Sequence, residues 1–173
     1  MNVDFTSILQ VAQAIAVIFA VVFGVYQVSQ MRRQRRRDES FALMNSLQTR
    51  EMVRGLVVLD SLPEGLDSTE LQARLGERFI DLQILLGTWE SLGILVFHGE
   101  VGLDLVDDFY SGSIVHSWLK LKRYVEELRE RTARETRWEW FQWLAEQMIG
   151  RESRSKPVPA HVQYRNWKQS RTR

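Results

Sequence analysis

The chain has 173 residues, room for a membrane-length segment and one ordinary domain but cramped for two domains with cores of their own. It contains no cysteine, which excludes disulfides and thiolate metal sites and fits a cytoplasmic domain. The formal charge of +1 averages over two basic blocks, one near the amino end and one at the carboxyl end, so the middle of the chain is acidic.

Ile8 to Val28 form an almost unbroken apolar run of about 21 residues, long enough to cross a hydrocarbon core about 30 Å thick. Arg32-Arg33-Gln34-Arg35-Arg36-Arg37 follows directly, and Asp4 is the only charged side chain before the run. A signal peptide carries its positive charge ahead of the apolar stretch, and here the order is reversed. The positive-inside rule therefore predicts a single span in the cell's inner (plasma) membrane, with the amino terminus outside and the carboxyl-terminal part cytoplasmic. Ala12, Ala16, Ala20 and Gly24 recur every four residues, the small-residue pattern that lets two membrane helices approach closely. At about 100° per residue, Gln13 and Gln27 fall about 20° from Ala20. The expected oligomer face is thus Gln13, Ala16, Ala20, Gly24 and Gln27, and interhelical glutamine contacts of about 0.6–2 kcal/mol would set its register. Arg32, Arg33, Arg35, Arg36 and Arg37 are expected to contact anionic lipid, at about 1 kcal/mol each near the surface.

From about Glu39 to Leu62, Phe41, Met44, Met52, Leu56 and Leu59 keep a helical period and predict one amphipathic helix. Ser61-Leu62-Pro63-Glu64-Gly65 reads as a turn, and Asp67 with Glu70 as a capping box that starts a new helix. Leu71, Leu75, Phe79, Leu82 and Leu86 hold its period, and the stretch then becomes apolar all round as far as Phe97. Leu82 to Phe97 is about 16 residues with Glu90 near its centre. That is short for a bilayer, and a central carboxylate costs about 2.5–3.5 kcal/mol on insertion scales, so a buried core helix is the better reading. Gly99 and Gly102 should end it; Val101 to Tyr110 then reads as a short helix broken at Ser111-Gly112-Ser113. Ile114, Trp118, Leu121, Val125 and Leu128 predict a helix with one apolar stripe, with Lys120, Lys122, Arg123, Glu126, Glu127 and Arg129 on the other faces. A last helix is expected over Ala133 to Ile149, closed by Gly150, with Trp138, Trp140, Phe141 and Trp143 around it filling a core or subunit contact. The Pro- and Arg-rich remainder reads as a loosely ordered tail. No long period-two alternation occurs. The fold class is all-α: an anchor (1–30), a basic juxtamembrane segment (31–38), a cytoplasmic bundle of about four helices (39–150) and a basic tail (151–173).

The block Trp89-Glu90-Ser91-Leu92-Gly93-Ile94-Leu95-Val96, followed by Gly99, Leu103-Asp104-Leu105-Val106, Tyr110-Ser111-Gly112 and Trp118, resembles an uncharacterised bacterial family of short single-pass membrane proteins, a domain of unknown function. The resemblance implies an amino-terminal anchor and a helical cytoplasmic domain. It implies no activity and no catalytic residues.

The richest polar cluster lies between Glu90 and His116 and includes His98, Glu100, Asp104, Asp107 and Asp108. Carboxylates and imidazoles could bind a divalent metal or exchange protons. Yet no Glu-x-x-His or His-Glu-x-x-His spacing ties them to one helical face. The expectation is therefore no catalytic residue, no metal and no cofactor, with Glu90 accepting backbone hydrogen bonds and fixing the packing. The basic aromatic tail, with Arg151, Arg154, Lys156, Tyr164, Arg165, Trp167 and Lys168, suits lipid better than nucleic acid in a tethered chain. The expected function is a membrane-anchored interaction or scaffold protein that forms homo-oligomers, with another membrane or cytoplasmic protein as a further candidate partner. The alternatives are a channel lined by Gln13, Ala20 and Gln27 and a tethered metal-dependent enzyme.

Overall fold

The computed structural model describes residues 18–31, 41–154 and 157–168, and every regular element among them is helical. The chain falls into two units that divide between Ser46 and Leu47. In the first, α1 spans Ile18–Met31, and residues 41–46 are also helical. The first ten residues of the apolar run, including Gln13 and Ala16, lie outside the described residues, as do Arg32, Arg33, Arg35, Arg36 and Arg37. Apolar side chains on every side of α1 are exposed, among them Phe19 at 71% and Val25 at 66%.

The second unit is built from α2 (Arg50–Asp60), α3 (Ser68–Leu75), α4 (Phe79–Phe97), α5 (Leu103–Thr132), α6 (Glu139–Arg154) and the short α7 (Ala160–Gln163). The helix expected from Glu39 to Leu62 is interrupted at 47–49, because Thr49 takes a β-region conformation and its side chain accepts the Met52 N–H at 3.1 Å as an N-cap. The capping box at Asp67 and Glu70 is present in both directions. The helix it starts breaks into a 3-10 turn at Gly76–Arg78, where Gly76 has φ +51°, before α4 begins. Gly99, at φ +72°, ends α4 in the left-handed conformation that favours glycine.

Helix α4 is central: it packs against α2 and α6, and α6 packs also against α5. Leu82, Leu85, Leu86, Trp89 and Leu92 are at most 1% exposed and meet a core that includes Ile114, Leu121, Phe141 and Leu144. Two glycines permit the close contacts. A Cβ on Gly55 of α2 would lie 2.7 Å from the Asp81 carbonyl oxygen and 2.8 Å from Leu85 Cβ, and one on Gly93 of α4 would collide with the Trp140 backbone. By length and composition alone, Ser68–Phe97 is the one stretch among the described residues that could cross a membrane; α1 is shorter. A 3-10 turn at Gly76–Arg78 interrupts that stretch, and the inner face of α4 is covered by the core.

Three expectations for the carboxyl half are corrected. Helix α5 runs unbroken for 30 residues through Ser111-Gly112-Ser113. Tyr110 and Ile114 are both buried there, and this packing outweighs a helix-propensity cost of about 1 kcal/mol for the glycine. Helix α6 starts at Glu139, because Ala133 closes α5 in the left-handed region and Trp138 is held at φ +57°. It also continues past Gly150 to Arg154, so the basic segment begins as helix; Ser153 Oγ and Arg154 Nε hydrogen-bond to the carbonyls of Ile149 and Gly150.

Candidate functional site

The polar side chains of the helical domain are spent largely on the ends of neighbouring helices. Glu90 Oε2 accepts the Phe141 N–H at 2.8 Å, and the carboxylate also receives the Trp140 N–H. These are the third and second amides of α6, so α4 supplies the N-cap that α6 lacks in its own sequence. Desolvation raises the Glu90 pKa, the two backbone amides pull it back, Glu139 adds a smaller rise and Arg129 a smaller fall. Arg129 secures the turn ahead of α6, donating to the carbonyls of Arg137 at 2.9 Å and Trp138 at 3.4 Å and to Gln142 Oε1 at 2.6 Å.

Lys120 performs the opposite service. Its Nζ donates to the carbonyl oxygens of Leu59 at 3.0 Å, Asp60 at 3.1 Å and Leu62 at 2.6 Å. Helix α2 has no basic residue in its own last turn, so α5 brings a cation to the negative end of its dipole. Further along α5, Arg123 Nη1 donates to the Gly65 carbonyl at 2.7 Å, Glu127 accepts the Ser68 N–H at 3.0 Å and its hydroxyl at 2.8 Å, and Arg131 Nη1 donates to the same hydroxyl oxygen at 2.9 Å. Lys120, Arg123, Glu127 and Arg131 thus form one row that grips the α2–α3 connection. Sequence reading placed Lys120, Arg123 and Glu127 off the apolar stripe, on the other faces of the helix, and named no partner for them. The available signal was register, since Lys120 lies three residues from the buried Ser117 and four from the buried Tyr124.

The polar residues grouped from sequence do not converge. His116 Nε2 lies 3.2 Å from Asp60 Oδ1 at the end of α2. His98 caps α4 and packs edge-on against Phe97, and Glu100 sits in the turn between α4 and α5. Asp104 and Asp107 are both taken by Arg151, at 2.7 and 3.2 Å. Asp108 is exposed and lines an open groove of about 600 Å³ with Asp107, Ser111, Arg151 and Gln163. Among the described residues no three His, Asp or Glu side chains group as a metal site requires.

Within α1, Ala20 and Gln27 are exposed. A Cβ added to Gly24 would meet nothing within 4 Å, and Gly24 floors a notch walled by Val21, Val25 and Val28. Of the tryptophans around α6, Trp140 and Trp143 are half-buried and cluster with Phe97, at ring separations of 4.7 and 5.8 Å. Trp138 precedes the helix and its indole N–H has no hydrogen-bond partner among the described residues. Phe141 alone of that group is fully buried.

Residues 14–148 match the family described as Domain of unknown function (DUF4760). Neither the curated proteins nor the solved structures give a match to the chain.

Proposed function

Because the chain belongs to that family of unknown function, its role rests on its own residues, and we propose a single-pass membrane-anchored helical interaction or scaffold protein that self-associates through its membrane helix. The observation that carries this reading is α1. Ile18, Phe19, Val22, Phe23 and Val25 are each at least 60% exposed, and the helix lies within an apolar run followed at once by five arginines. So much apolar surface is covered by hydrocarbon at far lower free energy than by water. Ala20, Gly24 and Gln27 share one side of it, and Gly24 leaves the notch into which a second helix fits. The five arginines support a cytoplasmic position for the helical domain, next to anionic lipid.

Membrane fractions washed with alkaline carbonate test the anchor: the full chain stays in the pellet, and release into the wash removes the reading. For topology, Asn2→Cys is labelled by an impermeant maleimide on intact cells; labelling only after permeabilisation reverses the orientation. Ala20→Leu with Gly24→Leu reduces crosslinked oligomers at least tenfold, and unchanged crosslinking removes the helix face as the contact. Single-channel conductance in reconstituted bilayers would replace the scaffold with a channel.

A further inference from the structure

The outward side of α4 has no packing partner among the described residues of its own unit, although α4 is apolar nearly all round. Ile80, Ile84, Gly87, Ser91, Ile94 and His98 follow one another at spacings of four, three, four, three and four, the seam that a helix presents to another helix. Ile80 is 61% exposed, Ile84 37% and Ile94 36%. The two charged residues of α4 stand off the seam, since Asp81 falls about 100° from Ile80 around the helix and Glu90 turns to α6.

Gly87 is the second observation. Glycine inside a helix costs about 1 kcal/mol relative to alanine, and Gly55 and Gly93 have a cause in the close contacts described above. Gly87 has none among the described residues, because a Cβ there would meet nothing within 4 Å. It lies near the middle of an uncharged apolar seam, where a helix from outside would come closest. Lipid has no register to match and gives no reason for glycine at that point.

The seam is also symmetric about its own midpoint. Reversed end for end around position 89, Gly87 meets Ser91, Ile84 meets Ile94, and Ile80 meets His98. Large residues face large ones and small residues share the centre, as a two-fold contact between identical surfaces requires. We propose that α4 forms the centre of a homodimer, the outer seams of two copies packing antiparallel about an axis near residues 87–91. The seam is about 27 Å long at 1.5 Å per residue. This inference does not depend on the membrane anchorage.

The absence of cysteine makes the register directly testable in the full chain purified in mild detergent. Under mild oxidation, Gly87→Cys mixed with Ser91→Cys, and Ile84→Cys mixed with Ile94→Cys, should form disulfide dimers. Ile80→Cys alone should not, because its two copies would lie about 27 Å apart, far beyond the 4.4–6.8 Å that a disulfide spans between Cα atoms. Self-crosslinking at all these positions would mean a parallel contact and overturn the proposal, as would no disulfide in either mixture. Ile84→Glu lies outside the core, so helicity and melting should be retained while the dimer fraction by light scattering falls at least tenfold. If Ala20→Leu with Gly24→Leu disperses the copies and Ile84→Glu does not, the α4 dimer is wrong and the α1 contact stands; the reverse result spares this proposal and removes the other. A change in vesicle flotation by Ile84→Glu at unchanged mass would assign the face to lipid and also overturn the dimer.

Discussion

The two sides of α4 have nearly the same hydropathy and opposite surroundings. On the inner side leucines interlock with α2, α5 and α6 and Gly93 brings the α6 backbone close. On the outer side isoleucines flank a glycine at which an added Cβ would meet nothing within 4 Å. Apolar composition thus marks what must be covered, while glycine and charge placement tell which side the chain covers itself. A helix closed by its own chain shows capped ends and forced close approaches; the open side of α4 shows neither.

Gly93→Ala should have the largest effect. Its new Cβ meets the Trp140 backbone, which cannot swing aside as a side chain can, and overpacking of this kind costs about 3 kcal/mol. Thermal unfolding followed by circular dichroism checks it, and a loss below about 0.5 kcal/mol would erase the contrast between the two sides. Lys120→Met keeps the length of the stem but leaves three carbonyls at the α2 end without their cation, for a loss of about 2 kcal/mol in the same assay.

Glu90→Gln retains an acceptor for α6 and loses the charge, so about 1 kcal/mol of capping is at stake. Its sharper signature is pH. Burial raises the folded-state pKa above 4.5, so the protonated form is favoured by folding. The resulting contribution is full below about pH 4.5 and is lost as pH rises through the raised value. Native stability should therefore decline across that window, and the Gln variant should flatten this part of the profile. An unchanged slope would mean that the carboxylate is not desolvated. Gly87→Ala is the smallest effect and has the opposite sign. With free space at the Cβ position, it should stabilise the isolated monomer by about 0.5–1 kcal/mol at concentrations too low for association.

The helical character of the chain was readable from periodicity, and so was the Asp67–Glu70 cap, because both depend on residues close in sequence. What could not be read depends on residues far apart. Ser111-Gly112-Ser113 looks like a break until Trp89 is seen donating its indole N–H to Ser117 Oγ at 3.0 Å, tying α4 to that stretch of α5. Gly150 looks like a stop, yet α6 continues through it. Glu90 was recognisable as a carboxylate in need of partners, but no local pattern names the amides of Trp140 and Phe141, about 50 residues away. Lys120 was misplaced for the same reason: charge suggests solvent, and only the tertiary fold delivers three carbonyls to it. For Leu82 to Phe97, composition suggested burial all round, and only the inner half is covered.

The grip of Lys120 on the end of α2 has a kinetic consequence. An amine holding three carbonyls cannot attack an electrophile until α2 and α5 separate, whereas Lys122, two residues on, has a side chain 55% exposed and reacts in the native state. Timed acylation with peptide-level readout therefore gives a clock and its reference in one helix: Lys122 reports the reagent, and Lys120 reports how often the domain opens.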